Sequence, residues 1–403
     1  MRAVLRHRGF RLLLAGQTLS MFGSSALFLV LGIWVKELTG SNSAVGLLFM
    51  LMALPAIAAP LFGVAVDRFP RRQLMIVTDL VLAAAVLLLL LVDGRNDVWL
   101  IFAVAVVYSL GQPVFGSAKA GLIRGMLPEE QLAAANGAIE SMRQALRIGA
   151  PLAGAGIYVA FGGGAVAAVD AVTFLASAGT LLAMRVPDIA RSREPLRFVE
   201  SFTEGIRHLW RTPDLRLLCG CIVAAICFIG VLEGAVFFAL LDAIGKPPEW
   251  VGILSTIQGV GSIAGGIVSA WLIARAGELR VSGIGLAGLG VGFGLCAVLT
   301  VPSVLVGAVV IGITLTPFMV AFNTIVQKLT PLELQGRAFT AIEALFSAPM
   351  AIAMGLGAVL VAVVDIRVLY LSALVVLVAL GGVLVRRRDP VTAPVAGPVA
   401  DPA

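Results

Sequence analysis

Six ionisable side chains within long apolar stretches are the residues of this chain best suited to chemistry. An ionisable group at the centre of a bilayer costs about 2.5–3.5 kcal/mol on insertion scales, so it requires a partner, water or a task. A carboxyl group in such a place can carry a proton, and a nearby arginine can balance its charge. The candidates for proton coupling are Glu140, Arg143, Arg147, Asp170, Glu233 and Glu343.

Three of these candidates belong to one predicted helix over residues 132–160. Glu140, Arg143 and Arg147 share one helix face, and the spacing of the first two allows an ion pair. The pattern predicts either a polar, water-lined wall of a cavity or a structural cluster of ion pairs. Arg147 lies deepest in the stretch and favours the cavity wall.

The other three candidates stand apart. Glu233 lies roughly 27 Å along its predicted helix, so it is either a proton carrier or a group that reaches the membrane surface. Glu343 repeats the position of Glu140 in the second half of the chain, which allows pairing between the halves. Asp170 and Asp79 lie near helix ends, where interfacial ion pairs are the more typical role.

Polar side chains at helical spacing could also line a cavity. Apolar neighbours such as Phe28 and Phe237 suit an amphipathic compound better than a sugar, which needs many more hydrogen-bonding side chains. The alternative for each serine is a helix–helix contact. The cavity candidates are Gln17, Ser24, Tyr108, Gln112, Gln258 and Asn323.

The composition predicts the environment of these residues. Hydrophobic residues make up 60% of the 403 positions and charged residues 13%. Soluble domains contain roughly 45–50% apolar and about 25% charged residues, so the composition predicts an integral membrane protein. The basic residues are separated by apolar stretches, which argues against nucleic-acid binding. The sequence contains no cluster of His, Cys and Asp residues of the kind that would suggest a metal site or an enzyme.

Twelve apolar stretches are long enough to cross a bilayer, since a spanning helix needs about 20 residues. The predicted spans cover residues 11–35, 44–66, 74–92, 98–118, 132–160, 164–184, 215–242, 250–274, 281–300, 303–326, 335–363 and 367–385. With both termini in the cytoplasm, 23 of the 29 Lys and Arg residues are cytoplasmic and four lie outside. The positive-inside rule therefore predicts cytoplasmic termini.

The chain also repeats itself at an offset of 203 to 205 residues, which aligns Pro128 with Pro331 and Gly154 with Gly357. Two parallel six-helix halves are the arrangement that this repeat predicts. The predicted domains are an N-terminal half over 1–184, a cytoplasmic linker over 185–214, a C-terminal half over 215–388 and a disordered tail over 389–403.

The linker contains apolar residues at helical spacing. Phe198, Ile206 and Leu209 lie on one face, with basic residues between them. The pattern predicts an amphipathic helix that lies on the cytoplasmic membrane surface or packs on protein.

The loop between the second and third spans has the order Gly-x-x-x-Asp-Arg-x-x-Arg-Arg over residues 63–72. It resembles the corresponding loop of the major facilitator superfamily of transporters, although Pro70 stands where the family usually has glycine. The alternative is a turn without a functional role, whose arginines only satisfy the positive-inside rule. The resemblance implies a conformational latch, in which Asp67 docks near the start of span 11. The latch residues are Gly63, Asp67, Arg68, Arg71, Arg72 and Arg337.

A second motif sharpens the resemblance. Pro151 and Gly154 lie in a segment similar to the Gly-Pro-x-x-Gly-Gly signature of the drug:proton antiporter branch, with Ala150 and Ala155 replacing glycines. The antiporters commonly carry an arginine in span 4, near the place where Val107 stands here. Segments such as 135–137 and 169–175 are similar to macrolide efflux proteins and the enterobactin exporter.

The resemblance implies the fold of this superfamily, with twelve membrane helices in two pseudo-symmetric six-helix halves. It implies a monomeric secondary transporter of the bacterial cytoplasmic membrane that exports drug-like or siderophore-like compounds by alternating access, coupled to protons and without a cofactor. A proton-coupled importer of a nutrient or metabolite is the alternative. The sequence shows no selectivity filter of a channel and no phosphate-binding loop for ATP.

Overall fold

The computed structural model describes residue 4 and residues 6–55, 69–184 and 198–387. Within them the chain forms thirteen α-helices: α1 (Arg8–Thr39), α2 (Asn42–Ala53), α3 (Arg71–Leu87), α4 (Val98–Met126), α5 (Glu129–Ala183), α6 (Phe198–Arg211), α7 (Pro213–Leu232), α8 (Ala235–Ala243), α9 (Trp250–Ala276), α10 (Glu278–Cys296), α11 (Val301–Leu329), α12 (Leu332–Leu360) and α13 (Ile366–Val385). Apolar side chains cover these helices, and each helix satisfies its own backbone hydrogen bonds, as a bilayer requires.

Ten helical segments of the described chain are long and apolar enough to cross a membrane. This number is consistent with the twelve predicted spans, although the count is not identical. Predicted spans 5 and 6 correspond to the two parts of α5, which are separated by a non-helical residue at Gly162, and the second predicted span begins as α2 and continues into residues outside the description. The chain is therefore an all-helical, multi-pass membrane protein.

Two glycines interrupt the regular helices. Gly162 has φ 81° and divides α5 into a first arm, residues 129–161, and a second arm, residues 163–183. Gly234 has φ 68° and separates α7 from α8, so the prediction of one continuous helix over 215–242 is wrong. Both φ values lie in the region that glycine adopts without steric cost.

The helix ends gather at two faces. The face where α1 begins and α13 ends carries most of the basic residues, and we call it the basic face. The face where α1 ends and α2 begins is called the opposite face. Helices α1–α5, the N-terminal helices, pack mainly through α1 and α5, while α7–α13, the C-terminal helices, pack mainly through α10, α11 and α13.

Helix α6 lies within the predicted linker and packs on the C-terminal helices. Leu209 is buried, and Gly205 lies against the backbone of Arg337 in α12. The His208 imidazole lies 3.2 Å from the carbonyl oxygen of Leu329. Trp210 is exposed. These contacts favour the interpretation in which the helix packs on protein.

Candidate functional site

A polar bridge joins the two groups of helices at the opposite face. The Lys36 ammonium of α1 lies 2.5 Å from Asp242 Oδ2 of α8 and donates to Asn42 Oδ1 at 2.7 Å. The Asn42 amide donates to the same Asp242 oxygen at 2.9 Å. Lys36 is almost completely buried, so its charge depends on these partners.

Close backbone contacts seal the same face. Gly46 of α2 fits against Ala235 of α8 and Ala358 of α12, where a Cβ on Gly46 would lie 2.7 Å from the Ala235 Cβ. Gly252 of α9 faces Ala155 of α5, with 3.1 Å between a Cβ placed on Gly252 and the Ala155 Cβ. Small residues let the helices approach closely enough to exclude water and lipid here.

At the basic face, the described hydrogen bonds stay within one group of helices. Arg71 donates to the carbonyl oxygen of Gly121 at 2.8 Å, and Arg72 donates to that of Leu181 at 2.7 Å. Arg337 pairs with Glu204 of α6. Among the described residues, the hydrogen bonds and close glycine contacts between the two groups lie toward the opposite face. These contacts hold the two groups of helices together at the opposite face.

The structure describes only three of the six predicted latch residues. Gly63, Asp67 and Arg68 lie outside the described residues. Arg71 and Arg72 bind the carbonyl groups of α4 and α5, and Arg337 binds the linker helix. Docking of the loop on α12 stays a prediction.

Several of the predicted cavity residues come together in the N-terminal helices. Gln17 is buried, and its side-chain oxygen accepts a hydrogen bond from the Lys119 ammonium at 2.9 Å. Ser24 and Gln112 lie beside the hydroxyl group of Tyr108, which is itself buried. Gln112 is exposed, so it can connect this group with water in the cavity.

The predicted cavity residues of the C-terminal helices are more scattered. Gln258 is half-buried on α9, and its backbone oxygen lies against Gly312 of α11. Asn323 is exposed, and its amide donates to the carbonyl oxygen of Met319 in its own helix at 2.8 Å. The described contacts bring neither residue to the Tyr108 group.

Asp170 occupies an unexpected place among the proton-coupling candidates. It is completely buried, and Gly23 of α1 lies against it. Its Oδ1 atom accepts from the Thr173 hydroxyl at 3.2 Å, whereas Oδ2 has no hydrogen-bond partner in the described structure. Tyr108 packs beside it against Phe174, with ring centroids 6.0 Å apart.

Three of the remaining candidates are exposed, in contrast to Asp170. Glu233 is exposed where α7 ends, and Arg143 and Glu343 are exposed. The side chains of Glu140 and Arg147 lie outside the described part of the structure.

The antiporter-like motif has a packing role. Gly154 lies against the backbone of Ala26 in α1, 2.8 Å from a Cβ placed on the glycine. Pro151 lies one turn away, beside Gly252 of α9. The motif therefore places the first arm of α5 between α1 and the C-terminal helices.

Sequence reasoning missed the bridge of Lys36 and Asp242 and understated Asp79. The two bridge residues are 206 positions apart, close to the repeat offset, and this spacing could have pointed to equivalent ends of spans 1 and 7. Asp79 is buried, although its position one turn inside an apolar stretch resembles that of an interfacial residue. The described residues contain no group of three or more His, Cys, Asp or Glu side chains that could hold a metal ion.

Comparisons with known proteins agree with this architecture. The family model described as Major Facilitator Superfamily matches residues 13–247 and 234–401. The MFS-type transporter YfiS of Bacillus subtilis (strain 168) is 27% identical over 93% of this chain and 92% of its own length. Multidrug efflux pump Tap of Mycolicibacterium fortuitum is 28% identical over 82% and 84% of the two chains. Macrolide efflux protein A of Streptococcus pyogenes is 28% identical over 63% and 64%.

Solved structures share the fold at low identity. A bacterial homologue of the iron transporter ferroportin, in an inward-facing state, superposes with a TM-score of 0.72 at 17% identity, over 94% of this chain and 99% of that one. The nucleoside transporter NupG superposes with a TM-score of 0.72 at 12% identity, over 93% of this chain and 98% of that one.

Proposed function

The chain belongs to the Major Facilitator Superfamily and is a transporter of small molecules, and we propose that it exports hydrophobic or amphipathic compounds by alternating access, driven by protons that enter the cell. We place it in the bacterial cytoplasmic membrane as a monomer. The basic face is then cytoplasmic, because 23 of the 29 Lys and Arg residues belong to that side.

The observation that carries this proposal is the closure of the two groups of helices at the opposite face. Lys36 binds Asp242, and Gly46 packs against Ala235 and Ala358, at the opposite face. With the basic face in the cytoplasm, this state takes up its substrate from inside the cell. Export then requires these contacts to break while new ones form at the basic face, since each state of a two-state switch needs its own contacts.

The substrate class is inferred from the scarcity of polar groups. Gln17, Tyr108 and Gln112 supply a few hydrogen-bonding groups among many apolar side chains, as in sites for organic molecules. The names of the relatives, a macrolide efflux protein and a multidrug efflux pump, support amphipathic compounds and outward transport.

Proton coupling is assigned first to Asp170 among the six candidates. Its Oδ2 atom has no hydrogen-bond partner among the described residues, the Tyr108 ring packs nearby against Phe174, and Gln112, beside the Tyr108 hydroxyl, is exposed. A carboxyl group in this place can bind a proton when the cavity opens outward and influence how α1 packs. Glu140, Glu233 and Glu343, with Arg143 and Arg147, are secondary candidates.

The latch belongs to the other state of the cycle. When the basic face closes, Asp67 meets the start of α12, and Arg337 leaves Glu204 to join it. The ion pair of Arg337 and Glu204 therefore belongs to the state that is open to the cytoplasm.

Ethidium, an amphipathic cation, is a suitable probe in inside-out membrane vesicles. When respiration acidifies the lumen, the protein should accumulate ethidium there, and collapse of the pH gradient should release it. Asp170→Asn should abolish the accumulation, whereas Asp93→Asn, at an exposed residue of the opposite face, should not. Transport of ethidium out of the lumen together with protons would instead identify an importer and contradict the proposal.

A further inference from the structure

A second carboxyl group, that of Asp79 on α3, is buried among the N-terminal helices. Asp79 is 1% exposed, and neither of its carboxylate oxygens has a hydrogen-bond partner among the described residues. The hydroxyl group of Ser177, on the second arm of α5, lies beside it. An ionised carboxylate without partners is costly in such a place, so this group has either a bound proton or a use for one.

Asp79 and Asp170 are connected by a file of polar side chains on α5. Asp170, Thr173 and Ser177 follow one another at intervals of three and four residues, which places them on one helix face over about 10 Å. All three are buried, and the Thr173 hydroxyl contacts Asp170 Oδ1 at 3.2 Å. Ser177 then brings the file to Asp79.

Helix α1 covers this file with glycines. Gly23 lies against Asp170 and Thr173, with 3.0 Å between a Cβ placed on the glycine and the Asp170 Cα. Gly16 lies against Ser177 and Thr180, two turns away. We call this tight contact of Gly16 and Gly23 with the polar side chains of α5 the seam. It separates those side chains from lipid, and it depends on how α1 packs against α5.

The C-terminal helices have no equivalent of this seam in the described residues. Apart from buried cysteine thiols, their buried polar groups are the hydroxyl groups of Ser269, Ser282, Thr330 and Tyr370. The two buried carboxylic acids of the described chain both belong to the N-terminal helices.

We propose that Asp79 is a second proton-binding site, which exchanges protons with Asp170 through Thr173 and Ser177. The inference rests on the proposed proton coupling and adds a residue that coupling by Asp170 alone does not require. Hydroxyl groups both donate and accept hydrogen bonds, so Thr173, Ser177 and one bridging water can pass a proton between the two carboxyl groups.

The surrounding charges set the cost of ionising this pair. Arg72 lies two turns before Asp79 on α3 and binds the carbonyl groups of Leu181 and Leu182. On α4, Tyr108 lies near Asp170, and Lys119 is bound to Gln17 of α1. Helix α1 faces the file with Gly16, Ser20 and Gly23, none of which ionises.

Protonation of Asp79 and Asp170 can thereby control how tightly α1 packs, and α1 carries both cavity and bridge residues. A charge on Asp79 or Asp170 favours admission of water to the seam, and water there loosens the contacts of Gly16 and Gly23. Bound protons favour the tight packing. Because Lys36 lies on the same helix, the packing of α1 is coupled to the bridge at the opposite face.

Infrared spectroscopy of the full-length protein in lipid nanodiscs tests the site without any substrate. In a pH titration, wild-type protein should show the carbonyl bands of two buried, protonated carboxyl groups. Asp79→Asn and Asp170→Asn should each remove one band, and Asp79→Glu should restore a shifted band. Ser177→Ala should shift the titration midpoint of the Asp79 band, whereas Ser282→Ala should leave both bands unchanged. An unchanged spectrum in Asp79→Asn, or no effect of Ser177→Ala, overturns the proposal.

Transport separates this inference from the proposed function. Asp79→Asn should lose accumulation of ethidium against its gradient but keep equilibration of ethidium down its gradient, as uncoupled transport requires. If wild-type protein moves no ethidium, the proposed function fails while the infrared titration still decides the proton site. If Asp79→Asn accumulates ethidium as wild type does, the site has no part in coupling and the inference fails.

Discussion

Substitution of Gly46 by alanine should open the opposite face. The added Cβ would lie 2.7 Å from the Ala235 Cβ and 2.9 Å from the Ala358 Cα, both in the C-terminal helices. Overpacking of this kind costs typically about 1–3 kcal/mol. The cost falls only on the state in which α2 meets α8 and α12, so the equilibrium should shift about 5- to 150-fold toward the state with that face open.

Electron paramagnetic resonance can measure this shift directly. Spin labels at Asn96→Cys and Arg367→Cys lie at the opposite face, one in each group of helices, and both positions are exposed. In a background without native cysteines, Gly46→Ala should increase the population of long label distances. Gly116→Ala is the matched control, because a Cβ there meets nothing within 4 Å. Identical distance distributions in the two folded variants would refute the reasoning.

Three further predictions concern the bridge, the linker helix and the latch. Asp242→Asn leaves the buried Lys36 ammonium without its charged partner at a cost of about 1–3 kcal/mol, so it should lengthen the same label distances; the exchange of charges with Lys36→Asp and Asp242→Lys should reverse this, and failure to do so would argue against a charge pair. Gly205→Ala should lower the melting temperature, because its Cβ would meet the backbone of α12. Gly179→Ala should leave the melting temperature unchanged, because its Cβ meets nothing within 4 Å. Equal melting curves of the two variants would contradict the packing of α6. Asp67→Asn should slow ethidium efflux at unchanged expression, and unchanged efflux would remove the latch.

The fold was largely predictable because long apolar stretches leave a membrane-spanning chain few choices. The length and composition of the apolar stretches were sufficient to predict most helices, and the basic residues indicated which helix ends share one face. The break at Gly234 was not predicted, since glycine is frequent in membrane helices and its φ angle depends on tertiary packing.

The candidate site was less predictable. Asp170 and Glu233 look alike as single acids in apolar stretches, yet the first is completely buried and the second is exposed. That difference depends on which helices pack beside each residue. The bridge of Lys36 and Asp242 likewise joins residues 206 positions apart and belongs to a conformation closed at the opposite face.

Side-specific labelling of a single cysteine at position 112 tests alternating access most directly. Gln112 is exposed on α4 beside the Tyr108 group. A membrane-impermeant maleimide should modify Gln112→Cys from the basic face in resting vesicles, and from the opposite face only while ethidium and a pH gradient drive turnover. Modification from both faces at rest, or from the basic face alone during turnover, would contradict the account.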